Sequence, residues 1–210
     1  MNQMIQFWSK LISAYSKMHF IKESDTKNLL VSYIQMFKAF TFEGAGTTAF
    51  GHQGAIEIFE EKGLLKDIQY FIGSSSGSFL AAALGCGATA KQMRSILDQT
   101  DFTKLLDHSN CFPRDMYRLY HKFGWCKGDY LESWFGNALQ QITGNSDITF
   151  KQAFEKTKKT IVITSSDLTL GEIVYMSHET TPDLPIKVAV RRSTSLPFVF
   201  KPNADVDHIN

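Results

Sequence analysis

The sequence predicts an α/β fold with a mainly parallel sheet flanked by helices. Short apolar runs at residues 38–43, 68–72, 161–163 and 173–175 read as strands. Stretches with apolar residues at steps of three and four lie between them and read as helices. Two of the strand-to-helix junctions are glycine turns, Gly44-Ala45-Gly46 and Gly73-Ser74-Ser75-Ser76-Gly77.

Taken in order, residues 4–18 place Met4, Trp8, Leu11, Tyr15 and Met18 on one face, which predicts an amphipathic helix with an aromatic side. Such a helix suits either its own domain or a lipid surface. Polar residues 23–28 read as a connection, so residues 1–37 form an N-terminal helix and linker and residues 38–210 the main domain. The alternation of residues 38–43 predicts the first strand, followed by the turn at Gly44. A helix is expected from there through Glu61, with Gly63 in the place a C-terminal cap prefers. Residues 68–72 give the second strand; Phe79, Leu80, Ala83 and Leu84 give the helix behind it. Thr89 and Gln92 match a capping box. Residues 100–150 read as helix and loop, punctuated by glycines from 124 to 128, before strands return at 161–163 and 173–175.

Composition removes several classes of function. Lys+Arg is 22 against Asp+Glu 21, a formal charge of +1, so there is no basic footprint for nucleic acid. Cys86, Cys111 and Cys126 show neither C-x-x-C spacing nor a zinc pattern, which fits reduced thiols in the cytoplasm. The N-terminus has no basic start followed by a long apolar run, and no window reaches the ~20 apolar residues of a membrane span. The expectation is a cytoplasmic protein able to touch a membrane peripherally, with no metal or cofactor.

Residues 73–77 carry the chemistry, because they fit G-x-S-x-G. A serine nucleophile works from a strained turn between strand and helix, where flanking glycines let backbone segments crowd together. The helix behind it offers N–H groups and a positive dipole end to a developing oxyanion. The turn at Glu43-Gly44-Ala45-Gly46-Thr47 supplies the second requirement of acyl transfer, since successive N–H groups there can converge on an anion.

These blocks resemble the patatin-like phospholipase family. Residues 42–54 are similar to its glycine-rich oxyanion motif, and residues 73–77 to its nucleophile elbow. Residues 164–172 and 189–202 resemble, in order, its strand–turn block and the serine–proline stretch that precedes its catalytic aspartate. The resemblance implies a lipid acyl hydrolase acting on phospholipid or another lipid ester, without a cofactor. Ser75 is then the nucleophile, working in a dyad with an aspartate, and Gly44, Ala45, Gly46 and Thr47 form the oxyanion hole.

The sequence departs from the family at three points. Ala45 stands where a third glycine is usual, and Thr48-Ala49 where the family has a cation followed by glycine. No Asp-Gly follows Pro202, so the domain is expected to be C-terminally incomplete and to lack the family's base. Asp205 and Asp207 are lesser candidates for that role, and more simply surface carboxylates. Three other readings stay open. A triad would run Ser75, then Asp167 or Asp183, then His178 or His208. A dinucleotide module is disfavoured because Ala49 occupies the third glycine position. A relative without its base would keep the scaffold as a lipid-binding or interaction protein. The aromatic stretch from Phe112 through Trp134 and Phe135 reads as core packing, or else as a lid or acyl pocket.

Overall fold

The computed structural model describes residues 37–109 and 111–203; the helix expected within residues 4–18, and Asp205, Asp207 and His208, lie outside them. The strand expected at 38–43 forms as β1 (Ala39–Phe42). It pairs in parallel with β2 (Tyr70–Ser74), Phe42 standing opposite Gly73. β2 pairs in parallel with β4 (Thr160–Asp167), and β4 takes β5 (Glu172–Met176) as an antiparallel edge, giving the order β1-β2-β4-β5. The sheet is thus mainly parallel, as expected. Its second strand begins later than the apolar run suggested and runs into the serine motif.

The helix after β1 differs from expectation in its first turns. Residues Gly46–His52 form a tight 3₁₀ segment before α1 (Gln53–Glu61). Thr48 explains the tightening: both its N–H and its hydroxyl donate to the Ala45 carbonyl, at 3.2 and 2.6 Å. Gly63 follows the α1 C-cap in a left-handed conformation, φ +71°, as its position predicted.

Behind β2, α2 (Ser76–Gly85) buries every residue from Gly77 onward and packs on β2, β4 and β1. An alanine-rich helix suits that central place, because small side chains let it lie close to the strands. At Gly85 a Cβ would stand 2.3 Å from an Ile161 side-chain carbon. Leu80, Phe71, Ile163 and Phe135 complete the core around it, each contributing about 1.5–3 kcal/mol by burial. The capping box at Thr89 and Gln92 opens α3 (Ala90–Asp98), with reciprocal hydrogen bonds of 3.1 and 3.0 Å.

Residues 100–150 are helical in the main, with α4 (Phe112–Lys122) and α5 (Asp129–Thr143), but the glycine-punctuated stretch contains a strand, β3 (Gly124–Cys126). β3 pairs in parallel with β6 (Phe198–Phe200). Gly124 is required there because a Cβ would lie 2.1 Å from the Lys201 nitrogen. The aromatic stretch is core at one end and surface at the other. Phe135 and Trp134 pack on Phe79 with ring centroids 5.2 and 4.9 Å away, whereas Phe112 is exposed. Among the described residues the remaining α-helices are α6 (Phe150–Thr157) and α7 (Ile186–Ser193). Cys86, Cys111 and Cys126 are unpaired thiols, and burial pushes Cys86 up to about 12.

The ion pair of Asp115 and Arg118 is buried. Asp115 (2% exposed) accepts from Arg118 at 3.0 Å and from the Ser109 hydroxyl at 2.6 Å. The Ser109 hydroxyl first, then its N–H and Arg118, hold the Asp115 carboxyl below its ordinary value. A depressed folded-state value means this stability is complete above the unfolded-state value of about 3.9 and is lost as pH falls through the folded one. Asp115→Asn should therefore flatten the stability–pH curve below about pH 4. Urea melts across that range check it, and slopes equal to those of the parent would refute the assignment.

Candidate active site

β2 ends at Ser74 and α2 starts at Ser76, which leaves Ser75 alone at the corner. Its backbone sits at φ +51°, ψ −129°, a conformation that costs a residue with a Cβ about 1–3 kcal/mol. The surrounding contacts enforce it. A Cβ at Gly73 would lie 2.4 Å from the Gly77 carbonyl oxygen, and one at Gly77 would lie 2.4 Å from that of Phe42. The two glycines of the motif thus let β1, β2 and α2 meet at one point. The Ser75 carbonyl accepts from the Ser78 N–H at 2.9 Å and from its hydroxyl at 2.5 Å. The Ser75 N–H donates to the Ser193 hydroxyl at 2.8 Å.

The turn after β1 lies against this serine. A Cβ on Gly44 would stand 2.8 Å from Ser75 Cβ and 3.5 Å from Ser75 Oγ, so only glycine allows the approach. The Ala45 N–H is already engaged, donating to Ser76 Oγ at 3.1 Å. This alters the expected four-residue oxyanion turn. Ala45 pins the loop to the start of α2, while the N–H groups of Gly46 and Thr47 open the 3₁₀ segment, where a helix supplies no internal acceptor. Gly44, Gly46 and Thr47 are exposed and Ser75 is half-buried.

Ser193 ends α7 and belongs to the serine–proline stretch, which Arg191 fastens in place. The Arg191 side chain is buried. It donates to the carbonyls of Gly128, Lys127 and Lys201 at 2.9, 2.7 and 2.9 Å, and to Ser195 Oγ. Its guanidinium also lies over the Phe200 ring, 5.4 Å from the centroid. Burial lowers its affinity for the proton, and the carboxylates of Asp107, Glu132 and Asp129 oppose that shift. The contact with Gly128 needs glycine twice, for φ +79° and because a Cβ would fall 2.1 Å from Arg191 Nη2.

Two residues of the alternative triad, Asp167 and His178, are engaged elsewhere. Asp167 accepts from the N–H groups of Thr169 and Leu170 at 2.7 and 3.0 Å, capping the β4–β5 turn. The His178 ring stacks on Phe154, centroids 3.8 Å apart, with Nε2 3.9 Å from the Glu179 carboxylate. Neither is hydrogen-bonded to Ser75, and among the described residues no side chain is hydrogen-bonded to its Oγ. Sequence reasoning did not single out Ser76, Arg191 or Ser193 for these positioning roles. A cleft of about 520 Å³ opens beside Gly73 and Ser74, walled by Phe40, Phe42, Phe59 and Ile72.

Comparison with known proteins adds a lineage to this geometry. The family model for patatin-like phospholipases matches residues 40–207. Uncharacterized protein YqhO of Bacillus subtilis is 31% identical over 173 residues, covering 77% of this chain and 56% of that one. Probable lipid hydrolase 463L of Invertebrate iridescent virus 6 is 25% identical over 171 residues, covering 79% and 56%. The chain spans about half the length of these curated relatives. Among solved structures, ExoU of Pseudomonas aeruginosa in complex with SpcU superposes with a TM-score of 0.60 at 22% identity, covering 77% of this chain and 38% of that one. VipD of Legionella pneumophila gives 0.59 at 15%, covering 81% and 44%. At those identities the likeness speaks for the fold.

Proposed function

Because the chain belongs to the patatin-like phospholipase family, we propose that it is a lipid acyl hydrolase whose nucleophile is Ser75. The observation that carries this reading is the approach of Gly44 to Ser75, since it brings an anion-binding turn to the hydroxyl of a serine on a strained corner. In this mechanism Ser75 Oγ attacks the ester carbonyl and loses its proton to a carboxylate. The N–H groups of Gly46 and Thr47 hold the oxyanion as the alcohol leaves. Water then releases the fatty acid. The cleft beside Ser74 suits an acyl chain along its apolar walls, Phe40, Phe42, Ile56, Phe59 and Ile72, with Glu43 and His52 as polar lining. The substrate is a phospholipid or another lipid ester, met from the cytoplasm at the membrane surface. No helix of the described residues is long and apolar enough to cross a membrane.

Ala45 holds the loop rather than the oxyanion in the state seen here, since its N–H is bound to Ser76. For the base, Asp205 and Asp207 are the carboxylates of this chain that follow the stretch bound to Ser75 through Ser193. If either is the base, its replacement by asparagine should lower kcat by roughly 10²–10⁴-fold. The other substitution should leave kcat unchanged.

Fluorophosphonate labelling with peptide mapping tests the reading. An adduct on Ser75, absent from Ser75→Ala, is the expected result. A folded chain that binds lipid but takes no adduct would overturn it in favour of a non-catalytic lipid-binding relative.

A further inference from the structure

The helix α4 is built inside out. Asp115 and Arg118, three residues apart, are its buried side chains. Phe112, Met116, Tyr117, Tyr120 and Phe123 are exposed, Tyr120 at 78%. Their steps of four, one, three and three place them on one side of the helix and its C-cap. A helix that meets only water does the reverse. The charged side is neutralised internally, by the ion pair and by the bond from Arg118 to the Trp125 carbonyl, so the outward side is free to be apolar.

Two further features mark this surface. Phe123 and Phe198 both sit at positive φ, +52° and +66°, where a bulky residue is strained, and both rings are exposed. Phe198 belongs to the strand that pairs with Gly124, the residue after Phe123, so both strained rings belong to one small sheet and its edge. Backbone strain that delivers two aromatic rings to the surface works against stability and calls for a purpose. In the same stretch of sequence Arg114, Lys122 and Lys127 are exposed cations that flank the aromatic arc of the helix rather than sit within it, and the only carboxylate between residues 108 and 127 is the neutralised Asp115.

We infer that this face is a membrane-docking surface, which seats its aromatic rings at the acyl–headgroup boundary of an anionic lipid bilayer and its cations among the headgroups. Tyrosine and phenylalanine flanked by Lys and Arg are the side chains that such an interface retains. The choice of lipid over protein draws on that charge pattern, and it rests also on the lipid-ester reading of the Ser75 site.

The test is vesicle co-sedimentation of the full chain, using phosphatidylcholine vesicles with and without phosphatidylserine. The parent and Ser75→Ala should bind equally, and better with phosphatidylserine. The triple variant Tyr117→Ser, Tyr120→Ser, Phe123→Asn should bind at least tenfold more weakly. It should keep the parent's melting temperature, because asparagine tolerates the left-handed backbone of residue 123. Labelling of Ser75 by a soluble fluorophosphonate should be unchanged in that variant, which separates failure of docking from failure of the catalytic reading. Undiminished vesicle binding by the folded triple variant would overturn the inference. So would a parent that binds no vesicles but forms dimers that the same substitutions abolish, since the face would then belong to a second copy.

Discussion

A Ser75→Gly chain is expected to lose at least ~10⁴-fold in hydrolysis and to melt up to roughly 10 °C higher than the parent. The two effects have one cause. Ser75 stands at φ +51°, where a Cβ is disfavoured by about 1–3 kcal/mol. Glycine removes that strain and costs about 0.5–1 kcal/mol in added freedom of the unfolded chain. The difference still favours the variant, and for a domain of this size each kcal/mol moves Tm by about 2–4 °C. The backbone hydrogen bonds of the corner, to Ser78 and Ser193, do not involve the lost side chain. Ser75→Ala is the informative partner, because it deletes the same hydroxyl and keeps the strain. It should be equally inactive and melt with the parent. Calorimetry on the three chains decides the matter, and a Ser75→Gly melting temperature at or below that of Ser75→Ala would show that the corner stores no strain.

How far the site could be read in advance depends on the sequence distance over which each part is built. The strand–serine–helix corner at Ser75 was legible because its requirements are local. A strand, a small-residue turn and an apolar helix lie within residues 70–85, and glycines 73 and 77 announce the crowding found at that corner. The turn at Gly44 was legible for the same reason. Its detail was not, since the partner of the Ala45 N–H is Ser76, 31 residues away. A capping box at Thr149 and Gln152, with the same spacing as the one recognised at Thr89, was open to reading and marks the start of α6. β3 was hidden by its glycines. Gly124 suggests punctuation in sequence, but in the fold it admits the chain at Lys201. The buried ion pair of α4 was hidden in a different way, because an Asp and an Arg three apart usually decorate a solvated surface.

Arg191 is the part of the site least visible in sequence and the one whose loss should cost the fold most. Its guanidinium satisfies three carbonyls drawn from the β3–α5 turn and from the segment after β6, and it does so as a fork aimed in several directions at once. Lysine in its place keeps the charge but carries its donors on a single nitrogen. At least one carbonyl would lose its partner, at about 1–3 kcal/mol, and the contact with Phe200 would weaken by about 0.5–2 kcal/mol. Arg191→Lys should therefore destabilise the chain by about 3 kcal/mol, lowering Tm by roughly 6–12 °C. It should also slow labelling of Ser75 at temperatures where the variant is folded, because Ser193, two residues along α7, receives the Ser75 N–H. Gly128→Ala attacks the same contact from the other side, forcing a Cβ to within 2.1 Å of Nη2 on a backbone at φ +79°. If both substitutions break one clamp, the double variant should be little less stable than the worse single one. Additive losses in urea unfolding would mean that Gly128 and Arg191 act separately, and that the serine–proline stretch is held by something other than this arginine.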